Sequence, residues 1–332
     1  MPDFVRDLIH SAMAEVTEAN AFTAYAPSNI ALSKYWGKRD SALNLPMNSS
    51  ISISLGQWGS RTTVAPSPTA ADIVCHNGQQ LPGDADFMRR TLAFVEIFRN
   101  GRDLPLAITT ENTVPTGAGL ASSASGFAAL TRALCGAFAL ELDETAMSLI
   151  ARHGSGSAAR SLWHGFVRWN VGEQADGSDS HGVSLDLRWP AFHIAILAVD
   201  TGPKTKSSRS GMNHTVETSP LFAAWPAMSE VDCDFIETAI AEKRFDLLGP
   251  RVEANALAMH ATMLAARPSL KYLSSQSWQS LERLWEARAQ GLNAFATMDA
   301  GPNIKLVFLE DETSDVLQIF PTAEVIDPFG FA

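Results

Sequence analysis

Cysteine is scarce in this chain. Cys75, Cys135 and Cys233 are the only three in 332 residues, too few and too scattered for a disulfide framework or a structural zinc site. They suit a reducing cytosol, where a buried thiol behaves as a small apolar group. Long apolar runs are missing as well, so no stretch has the length needed to span a bilayer. Basic charge is in the minority: 25 Lys and Arg against 36 Asp and Glu give a net charge of −11. That balance argues against a general nucleic-acid or anionic-membrane binder, since both need a cationic surface. It leaves room for a small anion held in a local basic pocket. The eight histidines form no HxH or HExxH pair, which argues against a dedicated metal site. There is no GxSxG elbow and no GxGxxG after a strand.

What remains is ordinary globular composition, 46% hydrophobic and 18% charged, which excludes a disordered scaffold. The length fits about two domains. At the N-terminus, Asp3, Arg6, Asp7 and Glu15 interrupt the apolar residues, so the segment reads as an amphipathic helix and not a signal peptide. The expectation is a soluble cytoplasmic protein.

Alternating Ile51–Leu55 predicts a half-buried strand, and Arg61–Pro66 a neighbouring strand after a turn at Gly56–Gly59. Residues 84–99 have helical spacing and Leu104–Asn112 reads as a strand. Asp143 can cap a helix that ends at Gly154. Residues 165–169 and 192–199 read as strands, 173–182 as a structural or disordered loop, 213–292 as mostly helical, and 296–309 as strand, turn, strand. Phe235, Trp278, Trp285, Met259 and Met263 have core spacing. The mixture predicts an α/β or α+β protein with a domain change near 185–195.

Five segments could carry chemistry. Pro115–Gly126 is a Gly/Ser loop that feeds a helix N-terminus, where free N–H groups and the macrodipole favour an anion. Ser122, Ser123 and Ser125 add hydroxyls for phosphate or a metal ion. It lacks the lysine of a Walker A loop, and a turn with Ser caps is the plain alternative. In Ser33–Asp40, Lys34, Lys38 and Arg39 gather in an acidic protein and can neutralise phosphate or carboxylate. A solvated basic loop is the alternative, but Trp36 argues against full exposure. In Gly154–Ser161, Ser155 and Ser157 present hydroxyls and Arg160 a fork for an oxyanion, or simply a cap and a surface ion pair. Lys204–Met212 reads as a polar basic loop, either a lid over phosphates or a solvated loop. Asp299, before a Gly-Pro turn, is either a turn former or a carboxylate aimed into a cleft.

These segments recur in a known order. The sequence resembles the diphosphomevalonate decarboxylases of the GHMP small-molecule kinase superfamily, through APSNIALSKYWGKRDSALNLPMNSSISISL, PTGAGLASSASG, ARHGSGSAARSLWHGFVRW, SSRSGM with TVETSPLF, and FATMDAGPNIKLV. KYWGKRD with a downstream DAGPN is specific to the decarboxylase branch. The resemblance implies an α+β GHMP kinase fold. Residues 1–190 would form an N-terminal, ribosomal-protein-S5-like ATP-binding domain, with 1–21 as an extension helix. Residues 191–332 would form a ferredoxin-like C-terminal domain that carries the catalytic Asp.

It implies the Mg-ATP-dependent phosphorylation of the C3 hydroxyl of mevalonate 5-diphosphate, then loss of phosphate and CO₂ to give isopentenyl diphosphate. ATP and Mg²⁺ are the implied cofactors, and the partners are small molecules, with no nucleic acid or membrane; a homodimer is common in the family. Asp299, Lys34 and Arg160 match the catalytic set. Ala31, Tyr35, Trp36, Gly37, Lys38, Ser155, Gly156, Ser157, Ala158, Ala159, Ser208 and Arg209, with Lys34 and Arg160, match substrate contacts. Pro115, Gly117, Ala118, Gly119, Leu120, Ala121, Ser122 and Ser123 match the ATP phosphate loop, with Ser123 near Mg²⁺. The extension before Phe22 is longer than usual. Residues 79–102 match the family poorly, leaving Arg89 or Arg90 for a further diphosphate contact. The rival readings are a decarboxylase of mevalonate 5-phosphate, a kinase that stops at 3-phosphorylation, and a catalytically dead phosphate-binding homologue.

Overall fold

Apolar spacing at Phe4, Val5, Leu8 and Ile9 makes Asp3–Met13 a helix (α1), with Val5 and Ile9 fully buried. The structure, a computed structural model, describes residues 3–13, 18–99, 101–113, 122–199 and 206–330. After α1 come strands Phe22–Ala31 (β1), Lys38–Asp40 (β2), Leu45–Pro46 (β3), Ser50–Pro66 (β4), Ile73–His76 (β5) and Gln79–Gln80 (β6). Helix Asp86–Arg99 (α2), strand Leu106–Asn112 (β7) and helices Ser122–Ala137 (α3) and Glu144–Gly154 (α4) follow. A 3₁₀ turn, Gly156–Arg160, leads to strands Phe166–Trp169 (β8), Gly182–Ser184 (β9) and Phe192–Leu197 (β10). Helices Ser208–Thr218 (α5), Trp225–Ala241 (α6), Phe245–Leu264 (α7) and Ser275–Ala289 (α8) precede the hairpin Ala294–Met298 (β11) and Ile304–Leu309 (β12). Helix Thr313–Ile319 (α9) and strand Glu324–Ile326 (β13) end the described chain.

The architecture is α+β, built on two main sheets. The first runs β6-β5-β7-β4-β8-β9, with β1 on the other edge of β4; the second runs β11-β12-β10-β13. One long strand organises the first sheet. β4 pairs with β1 along one edge and, on the other, with β8 at its start and β7 at its end. The sequence predicts a turn at 56–59 between two strands. The chain instead passes through without reversing: Gly56 takes φ +58° and the pairing with β1 slips between Pro27 and Asn29, a bulge that bends one continuous strand. The hydroxyl of Tyr25 donates to Gly56 O at 2.7 Å and pins that bend.

The expected half-buried strand is also corrected, because Ser50–Gly56 is buried on both faces. Ile51, Ile53 and Leu55 pack into a cluster with Phe192, Ile194, Ile236 and Val252, which joins the first sheet to β10, α6 and α7. The opposite face carries Ser50, Ser52 and Ser54. Polar serines are tolerated there because they are used: Ser50 Oγ accepts from Arg160, and Ser54 Oγ accepts from Gly165 N at 2.9 Å.

The predicted cap holds. Asp143 accepts from Ala146 N at 2.7 Å and starts α4, which closes at Gly154. Residues 173–182 are ordered, because the Asp179 carboxylate accepts from Glu173 N and Gln174 N and the buried Arg152 donates to Gly177 O and Ser180 O. Met259 and Met263 are core, but Trp278 is 37% exposed on α8, a departure from its helical spacing. The segment read as a loop over 204–212 is helical from Ser208, since Ser207 caps α5 by accepting from Ser210 N at 3.2 Å. No helix among the described residues is long and apolar enough to cross a membrane.

Candidate active site

Two segments from opposite halves of the chain meet at Asp299. The residue leaves β11 at the β11–β12 turn, where Gly301 N donates to its carbonyl at 2.7 Å. Its carboxylate faces a cavity of about 690 Å³, within the usual size range for a small-molecule site. Lys34 approaches from the extended chain after β1. Its Nζ donates to Asp299 Oδ1 at 2.8 Å and to Ala31 O at 2.9 Å. Asn255 on α7 accepts from Lys34 N at 2.8 Å, and Asn48 donates to Lys34 O at 2.8 Å, so the backbone of this lysine is fixed on both sides. A second lysine, Lys305 on β12, donates to Asp299 Oδ2 at 3.1 Å.

The charges decide the protonation states. Burial by itself would raise the Asp299 carboxyl, but the ammonium groups of Lys305 and Lys34 outweigh it and hold the carboxyl far below its ordinary range. Two unit charges about 4 Å apart attract by about 4 kcal/mol at an effective dielectric of about 20, so two such partners exceed the cost of partial desolvation. Lys34 moves the other way. Burial lowers it to about 8, with Asp299 opposing only in part.

Arg160 ends the 3₁₀ turn and is almost fully buried. One Nη donates to Ser50 Oγ at 2.5 Å and the guanidinium lies 5.8 Å from the Trp169 ring centre. Its Nε and the hydroxyl of Tyr35 are buried with no partner in the protein, and both residues line the cavity. Buried polar groups are normally paired, and these two atoms, on residues that line the cavity, lie unpaired beneath its surface. Gly156 lines the same wall. A Cβ there would come within 2.9 Å of both Trp169 and the Tyr35 hydroxyl, so only glycine fits.

Three further cations gather farther along the cavity. Lys38 donates to Asn44 Oδ1 at 2.6 Å, and burial, then Arg209 and Arg90, push it down to about 8. Arg90 is lowered by burial and by Arg209; it lies 5.3 Å from the Phe127 ring centre. Arg90 therefore belongs to the cavity, whereas Arg89 pairs with Asp86 and does not line it. Arg209 and Ser208 sit in the first turn of α5 and face the same space. A helix N-terminus with three mutually repelling cations is built for a polyanion.

The hydroxyls of Ser123, at the start of α3, Ser155 and Ser157 form a short chain at 3.5 and 3.2 Å and line the cavity with Ala31 and Trp36. Gly37, Ala158 and Ala159 do not themselves line it. Gly37 has φ +103° and its missing side chain makes room for Phe222, while Ala158 and Ala159 are fully buried members of the 3₁₀ turn. Pro115, Gly117, Ala118, Gly119, Leu120 and Ala121 lie outside the described residues, as does the Ser122 side chain. Sequence reasoning missed Lys305, although a lone lysine in the apolar strand IKLVFL was a signal, since lysine is almost never buried unpaired. It also missed Asn29, which donates to Ser161 Oγ at 2.7 Å beside Arg160.

Two family models cover most of the chain. Residues 26–182 match the diphosphomevalonate decarboxylase-like N-terminal domain, and residues 194–326 match the mevalonate 5-diphosphate decarboxylase C-terminal domain. The diphosphomevalonate decarboxylase of Aspergillus fumigatus is 41% identical over 317 residues, 89% of this chain and 78% of that protein. The chain belongs to the diphosphomevalonate decarboxylase family. Solved structures agree. One of MDDEF in complex with MVAPP, AMPPCP and magnesium has a TM-score of 0.87 at 36% identity, covering 92% of this chain and 96% of that one. Another, of the mevalonate diphosphate decarboxylase from Enterococcus faecalis, has a TM-score of 0.85 at 35% identity, with 92% and 96% covered. The family's α+β GHMP kinase fold is the fold of this chain.

Proposed function

We propose that this decarboxylase uses ATP to convert mevalonate 5-diphosphate to isopentenyl diphosphate, ADP, phosphate and CO₂. The observation that carries the reading is the Asp299 carboxylate set between Lys34 and Lys305 at the floor of a cationic cavity. The diphosphate sits among Lys38, Arg90 and Arg209, and the C3 hydroxyl lies against Asp299. Asp299 is held too acidic to be an efficient proton acceptor near neutral pH. It orients the hydroxyl and holds a negative charge beside it; in a loose transition state the hydroxyl proton leaves late and passes to an oxygen of the transferred phosphoryl group, so no strong base is needed. Lys34 directs its ammonium at the transferring phosphoryl group. Arg160 binds the substrate carboxylate. Loss of the C3 phosphate builds positive charge at C3, and the C–C bond to the carboxylate breaks to supply the electron pair, releasing CO₂.

Among the described residues no group of three or more His, Cys, Asp or Glu could hold a metal ion, so the donor set fits a cation that arrives on ATP phosphates. Mg²⁺ usually keeps several waters and substrate phosphates as ligands, and Ser123 is the hydroxyl that would join them. When bound it neutralises phosphate charge during transfer. In this reading residues 1–190 form the ATP-binding unit and residues 191–332 bring Asp299 to it. The unbridged Cys75, Cys135 and Cys233 support a reducing, cytoplasmic location, and the family resemblance supports a homodimer.

Parallel assays with mevalonate, its 5-phosphate and its 5-diphosphate, each with Mg-ATP, test the reading by CO₂ release. Turnover is expected with the 5-diphosphate. In Arg209→Ala the KM for it rises by about tenfold or more, while kcat changes little, because the diphosphate is remote from bond breaking. Turnover of the 5-phosphate in preference would move the assignment to the rival substrate, and no CO₂ from any of the three would end it.

The lysines set a pH dependence. Lys34 and Lys38 are both lowered to about 8 by burial first. Rising pH removes protons from them, and with those the positive charge that holds the substrate. The ratio kcat/KM is therefore expected to fall above about pH 8, well below the ordinary lysine range. A profile flat to about pH 10 contradicts this.

A further inference from the structure

Lys305 falls within the FATMDAGPNIKLV block, but the family reading gave it no role at the site. It lies on β12 opposite Thr297 of β11, is 3% exposed, and does not line the cavity, yet its Nζ reaches Asp299 Oδ2 at 3.1 Å. Asp299 is thus held at both oxygens, by Lys34 from the cavity wall and by Lys305 from behind.

We propose that Lys305 is a positioning residue of the decarboxylase: it anchors Asp299 through Oδ2 so that Lys34 can turn part of its hydrogen bonding from Oδ1 to the substrate's phosphoryl oxygen without leaving the carboxylate unpaired. The inference rests on the proposed function above. Its physical core is charge balance. Lys34 with Asp299 alone is a neutral pair, which offers little net attraction to an incoming anion. With Lys305 the cluster holds two cations against one anion and stays cationic while its carboxylate remains in place. Geometry limits Lys305 to this role. Its ammonium points at the carboxylate from the sheet, and the residue stands outside the cavity lining, behind Asp299.

The other groups near Asp299 do not replace it. His260 on α7 is buried, and burial, then Lys34, push it down to about 4, so its ring is neutral at working pH. Arg160 acts on Asp299 through its charge but directs its donors to Ser50 and Asn29. Lys34 is the partner that must be free to move.

The test compares Lys305→Met, which keeps length and apolar volume, with Lys305→Arg, which keeps the charge. Lys305→Met is expected to lower kcat by about 30-fold or more with KM for the 5-diphosphate within about threefold. Its Asp299 titration should move up toward the ordinary carboxylate range, so that kcat falls at a higher pH than in the parent, because one of two cations that favour the carboxylate is gone. Lys305→Arg should restore most of kcat and return the titration. Carbon-13 NMR of enzyme labelled at the aspartate carboxyl carbons, with Asp299 assigned by its loss in Asp299→Asn, reads the same titration without turnover. An upward shift in Lys305→Met is expected, and is reversed in Lys305→Arg. An unmoved titration in Lys305→Met overturns the proposal, as does a loss of kcat that Lys305→Arg fails to rescue. A parent enzyme that releases no CO₂, while Lys305→Met still shifts the Asp299 titration, overturns the proposed function and leaves the clamp standing.

Discussion

Asp299→Asn is expected to lower kcat by about 10²-fold or more, while KM for the 5-diphosphate moves by less than about tenfold. Asparagine keeps the size of the side chain and removes its charge. The amide can still touch the C3 hydroxyl, but its NH₂ group faces one of two ammonium groups that are themselves donors. Whichever ammonium meets that NH₂ loses its partner at position 299, leaving Lys34 only Ala31 O if it is the one, and the hydroxyl is no longer oriented by an anion. A second consequence follows with a definite sign. Lys34 is lowered by burial and only partly restored by Asp299. Removing the carboxylate lowers it further, so the alkaline limb of the residual activity should fall at a lower pH than in the parent. Steady-state kinetics from about pH 6 to about pH 10 read both effects. A variant that retains about a third of the parent kcat rules out the role given to Asp299, whatever its pH profile.

Arg160→Lys is the second large effect, because it preserves charge and removes shape. Arg160 already commits one Nη to Ser50, lies against Trp169, and leaves Nε unpaired in the cavity wall. A lysine ammonium cannot form the planar fork that a carboxylate or phosphate accepts, nor lie flat on the indole. Loss of a positioned donor to developing charge typically costs about 10²-fold or more. We expect kcat/KM to fall by about 10²-fold with Arg160→Lys, and Arg160→Gln to be no more than a few-fold worse. Were lysine to restore nearly full activity, Arg160 would serve as a point charge only. Thermal unfolding of both variants separates this from a folding defect, since Ser50 begins the buried stretch of β4 and its partner is removed in each.

Local order was readable where a single period or cap rules the chain. The Asp143 cap, the strand read over 192–199 (Phe192–Leu197 in the fold) and the β11–β12 hairpin needed only a short apolar run or a capping side chain, and their neighbours did not override them. Failures came where two layers press on one segment. Alternation over Ile51–Leu55 signals one buried face, yet the serine face is buried too, because Arg160 and Gly165 use its hydroxyls. Gly56 and Gly59 look like a turn, but pairing with β1 on one edge, and β8 then β7 on the other, favours a bent strand over a reversal. The Ser207 cap was present in the sequence, but its polar, basic surroundings resemble a loop.

For the site, residue types that chemistry demands were visible in sequence: Lys34 in its aromatic setting, Arg160 after two serines, Asp299 before Gly-Pro. Gly37, Ala158 and Ala159 share those motifs without sharing the cavity, since neighbours in sequence can point to opposite sides of a backbone. Arg90 could not be told from Arg89 by sequence, and Lys305 was invisible as a functional group, for the converse reason. Each is one cation in an unremarkable helix or strand, and its meaning comes from what stands across a gap.

The order of the chain alone determined the family, the acidic and cysteine-poor character of the protein, and which side chains are capable of the chemistry. Only the tertiary structure decided that Asp299 has two lysines and not one, that Arg90 and not Arg89 enters the cavity, and that Arg160 is buried against Ser50 and Trp169. The reason is that charge and burial act through space. The state of a carboxylate is set by ions a few ångströms away, and the separation of 265 positions from Lys34 to Asp299 carries no trace of that distance in any local pattern.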